Sequence, residues 1–305
     1  MERLSFVGVT TGQSAATRLF PAWAKELGLR DVRLVGHDLP IHAPREEYRS
    51  LVGRIKTDEH ERGALITTHK IDLFEACRDL FDQIDESSLL CGETSCLSKR
   101  DGMLCARATD LVSASRSLDE FLPVDHFQKT AGEVLCLGAG GSAIAITLHL
   151  LGRTRITVVN RSQGRLDAMR AIHASVNALA EVAYIRNADP LLNDELMGDL
   201  PAGSLLINAT GMGKDTPGSP VSNAALFPAN GIVWEVNYRG ELQFLRQALG
   251  QRVERGLRVH DGWRYFIHGW ATVIEEVFDL HIQEDQLSRL AALSEGERRQ
   301  LPAGA

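Results

Sequence analysis

The sequence predicts an α/β protein built on mostly parallel sheets, and three observations lead there. Short apolar runs alternate with amphipathic stretches of roughly 10–15 residues, the pattern of βαβ units. The alternation lapses near residues 123–132 and then starts again, as a linker between two such units requires. In the second unit a glycine-rich turn, GAGGSA at 138–143, stands between an apolar strand and an apolar helix.

Taken in order, LSFVGV at 4–9 is expected as a strand, 15–27 as a helix, VRLVG at 32–36 as a strand and 46–59 as a helix. ALIT at 64–67 is a third strand, followed by a helix over 71–80. After the linker, EVLCLG at 133–138 is a buried strand, 141–151 a helix, RITVVN at 155–160 a strand and 165–179 a helix. Further strands are expected at 182–185, 205–208 and 232–236, then a long amphipathic helix over 265–278. From Ser294 the residues are small and polar, and fraying is expected.

The chain has 305 residues, enough for one large domain or two ordinary ones. It is 44% hydrophobic and 24% charged, a globular composition that excludes disordered and fibrous classes. With 33 Lys and Arg against 40 Asp and Glu, the net charge of −7 argues against nucleic acid or an anionic membrane surface as partner. The most apolar stretch, nine residues at 143–151, is about half the ~20 residues of a membrane span. The opening MERLSFVGVTTGQ lacks an apolar signal-peptide core. Five cysteines, Cys77, Cys91, Cys96, Cys105 and Cys136, form no CxxC pair. Reduced thiols in the cytoplasm are therefore expected. The ten histidines include no HExxH or other compact ligand spacing, so no metal is expected. The oligomeric state stays open, a homodimer included.

The sharpest local motif is Gly138-Ala139-Gly140-Gly141-Ser142-Ala143. In a GxGxxA turn Gly138 permits the tight bend, Gly140 lets the backbone approach a pyrophosphate, and Ala143 keeps the helix close to the sheet. The free N–H groups at the helix start then receive the anion. The same glycines can close a turn that binds nothing, but their place after an apolar strand favours a dinucleotide. About twenty residues on, an NAD site would carry Asp or Glu for the ribose 2′-OH. Here Asn160-Arg161-Ser162 stand there, with Arg165 one turn further. Guanidinium groups suit a 2′-phosphate, so NADP is the expected cofactor. The alternative is that both arginines are ordinary solvated side chains.

These motifs line up with one family. The chain resembles the shikimate dehydrogenase family, including its quinate/shikimate branch, from Gly8 to about Phe278. The resemblance is carried by GAGGSA at 138–143, VVNRS at 158–162, INATGMG at 207–213 and VWEVNYRGELQFL at 233–245. In the N-terminal part, ALITTHK at 64–70 matches the strand ending in a catalytic lysine, and DGMLCARATD at 101–110 the segment ending in a catalytic aspartate. The resemblance implies a substrate domain over 1–122, completed by 262–290, and a Rossmann-type NADP domain over 123–261, with a cleft between them. It implies NADP-linked, reversible reduction of a ring ketone, 3-dehydroshikimate or an analogue, to a secondary alcohol, as in aromatic amino acid biosynthesis. Lys70 and Asp110 carry over as the catalytic pair. Hydride delivery to a carbonyl leaves an alkoxide that needs a proton, which a lysine held by a carboxylate can supply. Without the resemblance Lys70 would pass for a surface lysine. Ser14, Thr67, Ser95, Tyr238 and His268 are the expected substrate contacts. Thr210, Gly211 and Met212 join the cofactor set.

The departures from the family pattern fall in the substrate pocket. The family's second N-terminal serine is Ala16, its Asn-Val-Thr before the lysine is Ala64-Leu65-Ile66, and its proline there is Thr68. An Asn-Thr pair is Ser95-Cys96, the Asn before Thr109-Asp110 is Ala108, a glutamine is replaced by His268 or Gly269, and the proline after Tyr238 is Gly240. At ~1 kcal/mol per hydrogen bond, so many lost donors imply a rebuilt pocket. Arg107, His69, Thr67, Thr68 and His268 are candidates to line it. Reversion of Ala16 to Ser and Ala64 to Asn is expected to favour shikimate. Two other readings are a folate-like or imine dehydrogenase, which rests on fold analogy alone, and a non-catalytic NADP-binding regulator. The Asp110 segment speaks against the first, and the retained Lys70–Asp110 pair against the second.

Overall fold

The computed structural model describes residues 1–214 and 216–298. The chain divides into two compact units, residues 1–113 with 267–298, and residues 114–266. The divisions at Ser113/Ala114 and Phe266/Ile267 fall inside the helices Asp110–Asp119 and Trp263–Phe278, not at 122/123 and 261/262. A continuous helix carries no break in composition, so nothing in the periodicity marks these points. The stretch at 123–132, where periodicity lapses, holds the short helix His126–Thr130. No helix among the described residues is long and apolar enough to cross a membrane.

The first unit holds β1 (Glu2–Gly8), β2 (Val32–Asp38), β3 (Glu61–Ile66), β4 (Gln83–Ile84), β5 (Cys96–Arg100) and β6 (Met103–Arg107), in the order β2-β1-β3-β5-β6-β4. β1 runs parallel to β2 and β3, as βαβ alternation requires. The rest of the sheet is mixed, within the expectation of mostly parallel strands: β3–β5 and β5–β6 are antiparallel, and β4–β6 is parallel. β5 and β6 form a hairpin turned at Asp101 and Gly102, whose φ values of 51° and 78° are those of a tight two-residue turn. Val7, Ala64 and Ile66 pack with Tyr48, Leu51 and Ile55 of the Arg45–Thr57 helix and with Leu73 and Phe74 of the Lys70–Cys77 helix. Elsewhere in the unit, Trp270 meets Phe6 edge-on at 5.0 Å and Trp23 at 6.2 Å.

The expected fraying from Ser294 is also corrected. A helix runs over Glu284–Arg298, and Ser294 is fully buried in it. Its Oγ accepts from Trp23 Nε1 at 3.0 Å, so a small polar residue is what the indole needs there. The last residues, 299–305, lie outside the described residues.

The second unit holds β7 (Val134–Leu137), β8 (Ile156–Asn160), β9 (Val182–Arg186), β10 (Leu205–Asn208), β11 (Ile232–Glu235) and β12 (Arg258–His260). All pair in parallel, in the order β12-β11-β10-β7-β8-β9. This is the Rossmann order, whose topological switch point lies between β7 and β10. β7, β10 and β11 are buried along their whole length, which accounts for their unbroken apolar runs. Chain direction reverses its winding beyond the carboxyl end of β7, where the GAGGSA turn stands.

Candidate active site

In the first unit, β3 ends at Ile66 and Lys70 opens the next helix; β6 ends at Arg107 and Asp110 opens the next. These carboxyl ends of the strands bring the two residues together, and Lys70 Nζ donates to Asp110 Oδ2. The side chains are 20% and 12% exposed, so the pair is sheltered yet reachable. Burial disfavours the Lys70 ammonium, but the charges of Asp110 and Glu93 and the hydrogen bond to Asp110 outweigh it. Its pKa is held above the ordinary lysine value.

The expected substrate contacts of this unit are arranged in different ways. Ser95 Oγ accepts from Thr109 N at 2.7 Å and lies 3.0 Å from Thr109 Oγ1, which fixes the residue before Asp110. Thr67 Oγ1 donates to Val7 O at 3.1 Å and is thereby tied to β1. Ser14 caps the Ala15–Glu26 helix, accepting from Ala16 N at 3.3 Å. The turn before it is pinned by Asp38 Oδ1, which accepts from Thr11 N at 2.7 Å and Thr11 Oγ1 at 2.6 Å. His268 is buried, and Ser113 Oγ reaches Thr272 Oγ1 at 3.5 Å, one turn beyond Asp110 and His268 on their helices. Two further pocket candidates are paired within the unit: Arg107 pairs with Glu276 and Asp85, and His69 is buried with Nδ1 3.0 Å from Tyr48 Oη, its Nε2 without a hydrogen-bond partner among the described residues.

Ala64 departs from its expected place at the substrate. It is fully buried in the apolar cluster under the sheet, and its side chain is part of the core. Its position is therefore explained by packing.

In the second unit, Gly138 has φ +117°, and a Cβ there would stand 2.5 Å from Ala209 O, so no other residue fits. Gly140 precedes the Gly141–Leu150 helix as its N-cap, with no side-chain cap and nothing within 4 Å of where a Cβ would be. Gly141 and Ser142 begin that helix, and Ala143 is fully buried against the sheet. The helix start is thus open, with free N–H donors, as a pyrophosphate site needs. At the end of β8, Arg161 and Arg165 are exposed and have no side-chain partner among the described residues. Ser162 caps the following helix through Arg165 N, and Asn160 Nδ2 donates to Ser162 O at 3.2 Å. Two guanidinium groups without a side-chain partner among the described residues fit a 2′-phosphate. Thr210, Gly211 and Met212 follow β10, and Thr210 N lies beside Gly138. Tyr238 stacks on Phe266 at 4.3 Å.

Sequence reasoning passed over Glu235, the last residue of β11, which is fully buried and hydrogen-bonded to Asn208 and Asn237. A signal existed: Ile232-Val233-Trp234 is a core strand, and a carboxylate closing it with Asn two residues on asks for a partner.

No protein-family model matches the chain. It is 31% identical over 228 residues to a shikimate dehydrogenase (NADP(+)) from Symbiobacterium thermophilum, covering 72% of each chain. It is 26% identical over 265 residues to a shikimate dehydrogenase (NADP(+)) from Rhodopseudomonas palustris, covering 86% of this chain and 85% of that one. Among solved structures, shikimate 5-dehydrogenase from Thermus thermophilus in complex with NADP(H) and shikimate superposes with a TM-score of 0.71 at 21% identity. That match spans 96% of this chain and 100% of the other, and it establishes the two-domain α/β fold.

Proposed function

The chain belongs to the shikimate dehydrogenase family, and on that premise we propose that it reversibly reduces a ring ketone, 3-dehydroshikimate or an analogue, with NADPH. The observation that carries the reading is the Lys70–Asp110 pair, two half-sheltered groups of opposite charge at the carboxyl ends of β3 and β6. The family assignment makes the protein an NADP-linked oxidoreductase, and the open helix start at Gly140 with the exposed Arg161 and Arg165 supports that cofactor.

When bound, NADPH supplies the hydride. Lys70 Nζ serves the oxygen that gains charge as the carbonyl is reduced, first stabilising it and then giving it a proton. Asp110 keeps the lysine charged despite its burial and aims Nζ. In the oxidative direction the neutral lysine takes the hydroxyl proton. Gly138, Gly140, Gly141, Ser142 and Ala143 hold the pyrophosphate, and Asn160, Arg161, Ser162 and Arg165 the ribose phosphate. Thr210, Gly211 and Met212 complete the cofactor set, and Ser14, Thr67, Ser95, Tyr238 and His268 contact the substrate.

The substrate is a cyclic or carboxylated alcohol that makes fewer hydrogen bonds than shikimate does. Ala16, 0% exposed, offers no donor where the family pattern has a hydroxyl. The decisive experiment is NADP reduction against shikimate, quinate and a panel of cyclic alcohols. Turnover of any of them that vanishes in Lys70→Ala supports the reading. Bound NADP without turnover of any would favour a regulator instead.

A further inference from the structure

Glu235 is fully buried at the end of β11, where its carboxylate accepts hydrogen bonds from Asn208 and Asn237. Asn208 Nδ2 donates to Oε2 at 2.7 Å; Asn237 donates to Oε1 through its backbone N at 2.9 Å and Nδ2 at 2.6 Å. The two amides pass this constraint on. With its NH₂ turned to the glutamate, Asn208 presents Oδ1 to Thr210 N at 3.1 Å and Thr210 Oγ1 at 2.7 Å. Thr210 Oγ1 accepts from Met212 N at 3.1 Å, and Asn237 Nδ2 reaches Met212 O at 3.3 Å. A ring of hydrogen bonds thus runs from one carboxylate around residues 210–212 and back. The same segment lies against the phosphate turn, where Ala209 O and Thr210 N crowd the space beside Gly138.

A carboxylate in a dry sheet end is costly, and core stability alone is better served by an apolar side chain of that volume. What the carboxylate specifies is the direction of both amides. We propose that Glu235 is a positioning residue for the cofactor: its ionised carboxylate sets Asn208 and Asn237, and through them holds residues 210–212 in the shape that receives the dinucleotide. This rests on the reading of 210–212 as a cofactor loop.

The consequence is a dependence on protonation. A proton on either Glu235 oxygen would face an N–H, with no acceptor to take it, and the ring would open. Burial pushes the carboxyl up to about 7, against the donors from Asn237 and Asn208 and the charge of Lys214. Lys214 lies on the loop after β10. By strand register the neighbouring acid is Asp261, beyond β12, which accepts from Trp263 N at 3.0 Å. Asn208 and Asn237 are neutral. Cofactor affinity therefore rises as pH rises through neutrality.

The test is NADPH binding to the full-length protein across neutral pH, comparing wild type with Glu235→Gln. The glutamine keeps the volume but turns an NH₂ toward an N–H. It should weaken NADPH roughly tenfold at about pH 8, one hydrogen bond's worth, and remove most of the pH dependence. The 2′-phosphate of NADPH also titrates near pH ~6, but it is common to both proteins and cancels in the comparison. Should Glu235→Gln not fold, Thr210→Val cuts the same ring beyond Asn208 and should give the same loss. Glu235→Asp, which keeps the charge, should retain the pH dependence. Matching NADPH affinity and matching pH profiles in wild type and variant overturn the proposal. Failure of the wild type to bind NADPH overturns the cofactor reading beneath it.

Discussion

Lys70 and Asp110 lie 40 residues apart in the chain and share a hydrogen bond in the fold. Each is the first residue of a helix, Lys70–Cys77 and Asp110–Asp119. The positive end of a helix favours a carboxylate and disfavours an ammonium. Lys70 thus stands where both burial and the helix dipole act against its charge, and Asp110 with Glu93 restores it.

Lys70→Ala should lower kcat by ~10²–10⁴, the usual scale of general acid–base catalysis. NADPH affinity should stay near wild type, since the lysine is assigned to the carbonyl oxygen. Steady-state kinetics beside a direct binding titration separate the two effects. A kcat at the wild-type level removes the mechanism.

Asp110→Asn takes away the opposing charge and leaves burial in place. The Lys70 pKa, now held above its ordinary value, should then fall. Reduction needs the charged lysine, so its rate declines as pH rises through that pKa. The basic limb of the kcat profile should move to lower pH in the variant. A limb that stays where it was in wild type speaks against Lys70 as the proton donor.

Arg161→Ala should weaken NADP roughly ten- to hundredfold, the scale of a charge-assisted hydrogen bond or two. NAD, which lacks the 2′-phosphate, should be little affected. The two cofactors titrated against one variant give the answer. Equal losses for both, or tighter binding of NAD than NADP by the wild type, would overturn the assignment.

The second unit was the more legible in sequence, for a physical reason. Its strands β7, β10 and β11 are parallel and buried along their whole length, so they read as short apolar runs, and Gly138 admits no side chain. The first unit was harder. Asp101-Gly102 is a strong hairpin signal, but the strands around it, CLSKR and MLCAR, are short and mixed in polarity. The family pattern also misplaced one residue. Matching Ala64 to an asparagine suggested a lost substrate donor, whereas alternation along β3 turns its side chain into the core. Glu235 escaped because its partners, Asn208 and Asn237, meet it only once β10 and β11 are paired.

The two reversions toward the family pattern should therefore part company. Ala64→Asn buries an amide among Val7, Leu51 and Ile66 with no partner at hand. It should destabilise the protein by roughly 1–3 kcal/mol, seen as a lower urea midpoint, without a gain in shikimate turnover. Ala16→Ser adds a hydroxyl in the first turn of a helix, where serine is tolerated. It should lower the KM for shikimate. A gain from Ala64→Asn would return that residue to the substrate pocket.

His173 gives a prediction on stability that is independent of the reaction. Its ring is buried between Thr147 Oγ1, 2.9 Å from Nε2, and Tyr184 Oη, 2.7 Å from Nδ1. Thr147 Oγ1 already lies 2.7 Å from Ala143 O, to which it donates, so it can accept from the imidazole while Tyr184 donates to the other nitrogen. The neutral ring thus satisfies the whole chain of hydrogen bonds, and burial brings its pKa down to about 4 from the ordinary 6.5. Between those values the unfolded chain binds a proton that the folded one refuses, so stability falls as pH drops through that window. Glu235, raised to about 7, works in the opposite sense, since its ionisation costs stability as pH rises from 4.5 toward neutrality. The two can mask each other in wild type, and the clean measurement is a difference. Urea unfolding of wild type and His173→Gln should show the variant losing less stability between neutral pH and about pH 5. The variant should be less stable at neutral pH, because glutamine does not span from Thr147 to Tyr184. If wild type and variant lose the same stability on acidification, the ring is not held neutral by its site.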